Sequence, residues 1–483
     1  MRVAVVGLGY VGLVTSACLA EEGHHIVGVE VSVDRIEALK AGRLPLHEPG
    51  LDELVHNNRE SGRLTFVSDS AAVATAEVVF VAVGTHDGNG GWQTGTIQSC
   101  LHDVVPLLAD DATLVVRSTL PPWFLARLPT IVSRIRQEAG RPPVPVLLNP
   151  EFTKEGTAVR DFLEPERIVL GIAMDVDGRG EAALRRLYGT TEAPILAMPA
   201  IDASLSKLGA NLFLATKISF ANELAQLCDL YGGDIERVVS AMAYDHRIGG
   251  SFLRAGIGFG GSCLPHQVTM TVVGAAEDGI ETPLFAAVAE VNHRQRRLLV
   301  DLLEDRIGGS LAGARIALLG VTFKPNTDDL REAPSIDIAT ELRARGATVV
   351  AFDPMRSALV RFAETVPGVQ IADSAALALA GADAAGLVTE WEEFYNLDWT
   401  RLAGVMRSPI VVDGRNALPA DVLRAAGIDY TGFGRGSGGG RGSARALEHE
   451  VIAVMDDSVV ADAAVAPQHS ERTRGSIGLV RTE

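Results

Sequence analysis

A short apolar, β-branched run from Arg2 to Val6 is followed at once by Gly7, Gly9 and Gly12 in G-x-G-x-x-G spacing, and then by a helical pattern from Thr15 to Glu22. Strand, glycine turn and helix in that order specify a parallel βαβ unit whose turn faces a ligand. The first glycine permits a tight turn. The second lets a pyrophosphate approach the backbone, and the third lets helix pack on strand, with Tyr10 and Val11 inside the turn. Phosphates then meet the helix N-terminus. A second strand, His25 to Val29, ends at Glu30. A carboxylate there can accept hydrogen bonds from the adenosine ribose and would repel a 2′-phosphate, so NAD is expected as cofactor rather than NADP.

With 483 residues, 47% of them hydrophobic, the chain is long enough for two or three domains with proper cores. Further strands are expected at Val78 to Val83, Thr113 to Arg117 and Val144 to Leu148. From Asp202 to about Leu230 the pattern is helical with almost no breaker, and apolar residues on several faces imply more than one covering neighbour. A second α/β unit starts at Arg315, with strands at Ile316 to Leu319, Thr348 to Phe352, Ala384 to Val388 and Ile410 to Val412. It lacks the full glycine fingerprint, so it is expected to bind something other than the dinucleotide. The fold class is therefore α/β: two Rossmann-like, doubly wound domains (1–200 and 306–435) joined by a long central helix and a helical middle domain (201–305). Residues 436–483, rich in Gly, Arg and Ser at their start, cannot bury a core and read as a disordered tail.

Cys263 stands in the run Gly258-Phe259-Gly260-Gly261-Ser262-Cys263-Leu264-Pro265. Beside a nicotinamide-binding fingerprint, such a thiol suggests oxidation through sulfur: a thiolate adds to an aldehyde, the thiohemiacetal is oxidised to a thioester, and water releases an acid. The competing reading is a small buried hydrophobe near a flexible loop. Cys18, Cys100, Cys228 and Cys263 show neither metal-like nor disulfide-like spacing, which fits a reducing cytoplasm and no metal site. A formal charge of −18 argues against nucleic acid and means that an anionic substrate needs local cations. No apolar run is long enough to span a bilayer, and the N-terminus is already a strand, so neither a membrane span nor a signal peptide is expected.

Several separated motifs together resemble the UDP-glucose/GDP-mannose dehydrogenase family over roughly residues 1 to 435. They are the run Gly7 to Gly12, Pro45 with His47 to Leu51, Arg117-Ser118-Thr119, Asn149-Pro150-Glu151-Phe152, Asn211 to Glu223, the Cys263 loop, Phe323 to Asp329, and Asp413 to Asn416. Members of this family oxidise the C6 hydroxyl of a sugar nucleotide to a carboxylate in two NAD-linked steps, and the wording of the 211–223 helix is most similar to the UDP-glucose branch. The resemblance implies a catalytic set of Cys263, Lys207, Asn211, Glu151, Thr119 and the residue at position 267. Lys207 and Asn211, four apart, project from one helix face and can stabilise a developing oxyanion. Glu151 matches the carboxylate that works with water in thioester hydrolysis, and Glu155 matches a residue between substrate and cofactor. Arg35, Thr85, Thr119, Arg331 and the residue at 266 are implied on the cofactor side. Phe152, Lys324 and Arg415 are implied around the sugar nucleotide, with Phe252, Arg254, Gly256, Phe259 and Gly260 lying along it. Arg247 is implied to reach over from the neighbouring subunit of a homodimer or larger assembly.

Three positions depart from the family pattern. His266 and Gln267 replace the usual Lys-Asp after the cysteine loop, and His86 replaces a proline. Glutamine cannot act as a base, so slow hydrolysis is expected. Two alternatives follow: the same chemistry on another nucleotide sugar such as TDP-glucose, or a homologue that binds sugar nucleotide without full turnover.

Overall fold

The computed structural model describes residues 1–85 and 91–436. His86 and residues 437–483 of the expected tail lie outside the described residues.

Two largely parallel sheets form the framework. The first contains β1 (Arg2–Val6), β2 (His25–Val29), β3 (Leu64–Val67), β4 (Val78–Val81), β5 (Thr113–Val116), β6 (Val146–Leu148), β7 (Ile168–Met174) and β8 (Ile195–Pro199), in the order β3-β2-β1-β4-β5-β6-β7-β8. Its pairings are parallel except β6 with β7. The second contains β9 (Arg315–Leu319), β10 (Thr348–Phe352), β11 (Gln370–Ile371), β12 (Ala384–Leu387), β13 (Ile410–Asp413) and β14 (Asp429–Gly432). Its order, β11-β10-β9-β12-β13-β14, repeats the pattern of the first six strands, all parallel. The order reverses direction beside β1 and again beside β9, which leaves a crevice at the carboxyl ends of the strands. Inner strands such as β4 and β5 are buried along their whole length, as a sheet covered on both faces requires.

The strands absent from the sequence reading are β3, β7, β8, β11 and β14. Four of these are the outer edges of the two sheets. Edge strands face solvent on one side and tolerate polar residues, so Asp429–Gly432 and the exposed Gln370–Ile371 carry no apolar run to read.

The central helix runs from Ala200 to Tyr231 and stops at Gly232, whose left-handed φ of 73° no β-branched residue would take easily. It packs against the helices Leu264–Glu277 and Pro283–Arg306 and against β7. Its buried face carries Ala203, Lys207, Asn211 and Ala215, so the two polar residues point into protein rather than solvent. On the other side Phe213, Phe220 and Leu227 are exposed at seven-residue intervals. Among the described residues, no helix is long and apolar enough to cross a membrane.

Candidate active site

The glycine fingerprint forms the cradle expected for NAD. A Cβ on Gly12 would sit 1.8 Å from the Gly7 carbonyl oxygen, so only glycine lets the helix Tyr10–Glu21 approach β1 this closely. Above Gly9, by contrast, no atom of the described residues beyond its chain neighbours lies within 4 Å of where a Cβ would be. That open space adjoins the N-terminus of a helix whose first turn no side chain caps among the described residues, which suits a pyrophosphate. Glu30 is buried at the end of β2, where its carboxylate accepts from the Leu8 and Ser32 N–H groups and from Arg35 Nη1, each at 3.1 Å. Thr85 donates its hydroxyl to the Thr119 carbonyl at 2.7 Å, tying the end of β4 to that of β5.

Across the crevice, Lys207 and Glu151 form a buried ion pair, Nζ to Oε1 at 3.3 Å. The Thr153 N–H and hydroxyl hold the other carboxylate oxygen at 2.8 and 2.6 Å. Burial alone would raise Glu151, but Lys207, Thr153 and Arg117 together hold it below the ordinary carboxylate range. The ring of Phe152 lies 5.2 Å from Lys207 Nζ and carries the Arg167 guanidinium on its face. Asn211, one turn beyond Lys207, donates Nδ2–H to Gln267 Oε1 at 2.9 Å. The residue without a charge at position 267 is thus coupled to the helix that carries the lysine. His266, also buried, lies beside Gln267 in the first turn of the helix Leu264–Glu277.

Cys263 caps the N-terminus of the helix Leu264–Glu277, and solvent reaches it. The protein around the thiol and the Glu151 carboxylate raise it above its ordinary value; Lys207 and the Ser262 hydroxyl pull the other way. The thiol therefore needs a proton acceptor before it can attack. Its loop is fixed from several sides. Gly261, at φ +83°, faces the Phe323 ring so closely that a Cβ would come within 2.7 Å. Asn292 brackets Phe259 with a donor and an acceptor, and Asn222 accepts from the Gly256 N–H.

Other candidates fall into two groups. Glu155, Arg331 and Lys324 converge beside the cysteine loop. Arg331 Nη2 lies 3.0 Å from Glu155 Oε1 and 2.7 Å from Asp329 Oδ2, and Ser262 Oγ lies 3.4 Å from Glu155 Oε1. Burial and then Asp329 push Glu155 up to about 8. Burial lowers Lys324, against the pull of Glu155, Cys263 and Glu48. Asp329 was legible only as part of the Phe323–Asp329 motif, with no role attached. Arg415, expected around the sugar nucleotide, donates from Nε, Nη1 and Nη2 to the carbonyls of Val388, Gly258 and Phe323. Its fork braces the glycine loop against the second sheet. The loop backbone is likewise largely engaged within the chain, the Gly256, Ile257, Phe259 and Gly261 N–H groups all having internal acceptors. Phe252, at φ +63°, and Arg254 are exposed. Arg247 is exposed too, paired with Asp245 away from this chain's own site.

Models of the UDP-glucose/GDP-mannose dehydrogenase family match three successive stretches: the NAD binding domain over residues 1–192, the central domain over 202–294 and the UDP binding domain over 317–420. A UDP-glucose 6-dehydrogenase of Pseudomonas aeruginosa is 40% identical over 445 residues, covering 90% of this chain and 98% of that protein. One from Rhizobium meliloti is 38% identical over 443 residues, covering 90% and 100%. The solved structure of a UDP-glucose dehydrogenase from the archaeon Pyrobaculum islandicum superposes with a TM-score of 0.81 at 36% identity, covering 90% of this chain and 97% of that one. With the cradle, the cysteine loop and the second sheet accounted for together, the chain belongs to the UDP-glucose/GDP-mannose dehydrogenase family and is an NAD-dependent nucleotide-sugar dehydrogenase.

Proposed function

We propose that this chain oxidises the C6 hydroxyl of UDP-glucose to the carboxylate of UDP-glucuronate, through a thiohemiacetal and a thioester on Cys263. The observation that carries this reading is the buried Lys207–Glu151 pair, within electrostatic reach of a cysteine at a helix N-terminus. NAD, when bound, takes up hydride from C6 in each of the two oxidations. Lys207 and Asn211 meet the negative charge on the C6 oxygen as the alkoxide, and later the oxyanion, develops. The Cys263 sulfur adds to the aldehyde carbon, forming the S–C bond as the C=O π pair moves onto oxygen, and the thiol proton ends on that oxygen to complete the thiohemiacetal. Glu151, held ionised by Lys207, takes the proton of the water that attacks the thioester, and the sulfur departs with a proton. Gln267 serves by orienting the Asn211 amide. Thr119, half-buried and bonded through its carbonyl to the Thr85 hydroxyl, bounds the place where sugar and nicotinamide meet. Lys324 supplies positive charge to the diphosphate.

The exposed stripe of Phe213, Phe220 and Leu227 supports a homodimer in which Arg247 of one copy reaches the sugar bound by the other. Four free cysteines support work in a reducing cytoplasm.

Incubation with a panel of sugar nucleotides, counting NADH formed per sugar, tests the reading. Two NADH from UDP-glucose and fewer from its competitors support it. Two from TDP-glucose alone would move the substrate, one would mean aldehyde release, and none with any sugar nucleotide would overturn the oxidation.

A further inference from the structure

Glu48 belongs to the motif His47 to Leu51, which none of the chemistry above uses. It is almost wholly buried. Its Oε2 accepts the Tyr10 hydroxyl and the Gly156 N–H, the latter at 2.6 Å, and its Oε1 accepts the Ala158 N–H at 2.7 Å. Tyr10 is the first residue of the fingerprint helix, and Gly156 follows Glu155 on the loop that carries both candidate carboxylates. Burial, then Glu48, raise the Tyr10 hydroxyl, so it remains a donor across the neutral range. The neighbouring His47 N–H donates to Asp328 Oδ1 at 3.2 Å, and Arg361 grips that same aspartate. One short segment therefore touches the fingerprint helix, the 151–158 loop and the loop after β9.

Resting on the covalent reading above, we infer that Glu48 is a positioning residue that locks the Glu151–Glu155 loop to the fingerprint helix, so that seating of the dinucleotide and aim of the hydrolytic carboxylate are set by one clamp. Three charge-assisted donors on one buried carboxylate make a rigid joint, because such bonds are short and costly to leave unmade. A glutamine at 48 offers a single acceptor oxygen and turns an NH₂ group toward one of the donors.

The test uses Glu48→Gln and Tyr10→Phe in the full chain, at saturating NAD. The expected kcat for acid formation falls ~10- to 100-fold in Glu48→Gln and ~3- to 10-fold in Tyr10→Phe, while KM for the sugar nucleotide changes less than ~3-fold. Quenched reactions should show a larger share of Cys263 as thioester than in wild type by intact mass, which a general loosening of the fold would not produce. Hydrogen exchange in the protein without ligand should speed up at Gly156 and Ala158 ahead of the neighbouring strands. Wild-type kcat with wild-type protection at those two amides would overturn the clamp. If Glu48→Gln does not fold, Tyr10→Phe alone decides by the same two readouts. Should even the wild type yield no acid, the oxidation reading has failed, and the exchange at Gly156 and Ala158 still judges the clamp.

Discussion

The two sheets share one strand order yet treat the crevice at their reversal points in opposite ways. In each, the turn after the first strand starts with a glycine hydrogen-bonded to the end of the second strand: Gly7 to Val29 and Gly320 to Phe352, both at 2.8 Å. An acid follows in each case. Glu30 receives two backbone N–H groups and keeps a partly exposed arginine beside it. Asp353 is filled by Val321, Thr322 and Met355 N–H groups and by the Trp391 indole. In the first sheet a helix starts at Tyr10 and points its N-terminus into the crevice. In the second the helix starts only at Pro334, and the intervening loop delivers Lys324, Asp329 and Arg331 to the cysteine. One topology thus seats a ligand with backbone and helix end, and elsewhere seals the same place and lends its loop to a shared cleft.

If the chemistry belongs to that cleft rather than to either sheet, removing the sulfur should have the largest effect. Cys263→Ala should lower acid formation by ~10⁴-fold or more, with nucleotide-sugar affinity nearly intact by calorimetry. Acid made at a rate within tenfold of wild type would remove the covalent step.

The two acids offer a direct way to break the comparison. Glu30→Ala should raise NADP efficiency relative to NAD by ~10- to 100-fold, because the repulsion of the 2′-phosphate is gone. Asp353→Ala should leave cofactor preference unchanged and instead cost about 2 kcal/mol of stability, since five donor groups, the Thr322 hydroxyl among them, lose their acceptor. Equal cofactor preference in wild type and Glu30→Ala, or a shift in preference from Asp353→Ala, would show that the two strand ends are not divided in this way.

Gln267→Asp should have a smaller effect, about 10-fold on steady-state turnover. A carboxylate at 267 could still accept from Asn211 and would add negative charge near Lys207, whereas the amide can only orient. A pre-steady-state burst of NADH is expected in wild type, shrinking in the variant. No burst in either protein, together with unchanged turnover, would mean that Glu151 suffices for hydrolysis.

What could be read from the sequence was what local pattern records. Buried inner strands such as β4 and β5 are continuous apolar runs, and Lys207 with Asn211 four residues on could be placed on one helix face without any tertiary knowledge. The edge strands β11 and β14 were lost because solvent on one side releases the apolar demand. Arg415 reads as a sugar-nucleotide ligand in sequence, and nothing local announces that three carbonyls from separate segments will also take hydrogen bonds from its guanidinium. Glu48 escaped for the same reason: its partners Tyr10 and Gly156 are 38 and 108 residues away. Long-range polar satisfaction leaves no periodic trace.

The seam between the two halves gives the smallest and most specific expectation. Glu155 comes from the first sheet's loop, Asp329 and Arg331 from the second's, and burial followed by Asp329 pushes Glu155 up to about 8 from an ordinary value of 4.5. Below about pH 4.5 this carboxyl is protonated in folded and unfolded chains alike. As pH rises from there to about 8 the folded chain keeps a proton that the unfolded chain has released, so the stability associated with that proton is progressively lost. Asp329 works in the other direction: Arg331 holds it low despite its burial, so its contribution is present above its unfolded value and fades as pH falls. Glu155→Gln removes the first effect and leaves the hold of Arg331 on Asp329, while taking away the smaller contribution of the Glu155 hydrogen bond. Relative to this variant, wild type should lose about 2 kcal/mol between pH 5 and pH 8, less than an isolated buried acid would, because the two carboxyls share their protons. Denaturant titrations of both proteins at pH 5, 6.5 and 8 measure the difference. A gap that stays constant with pH would mean that Glu155 is already ionised at neutral pH, and that the halves meet through an ordinary ion pair with Arg331 rather than through a carboxyl that retains its proton.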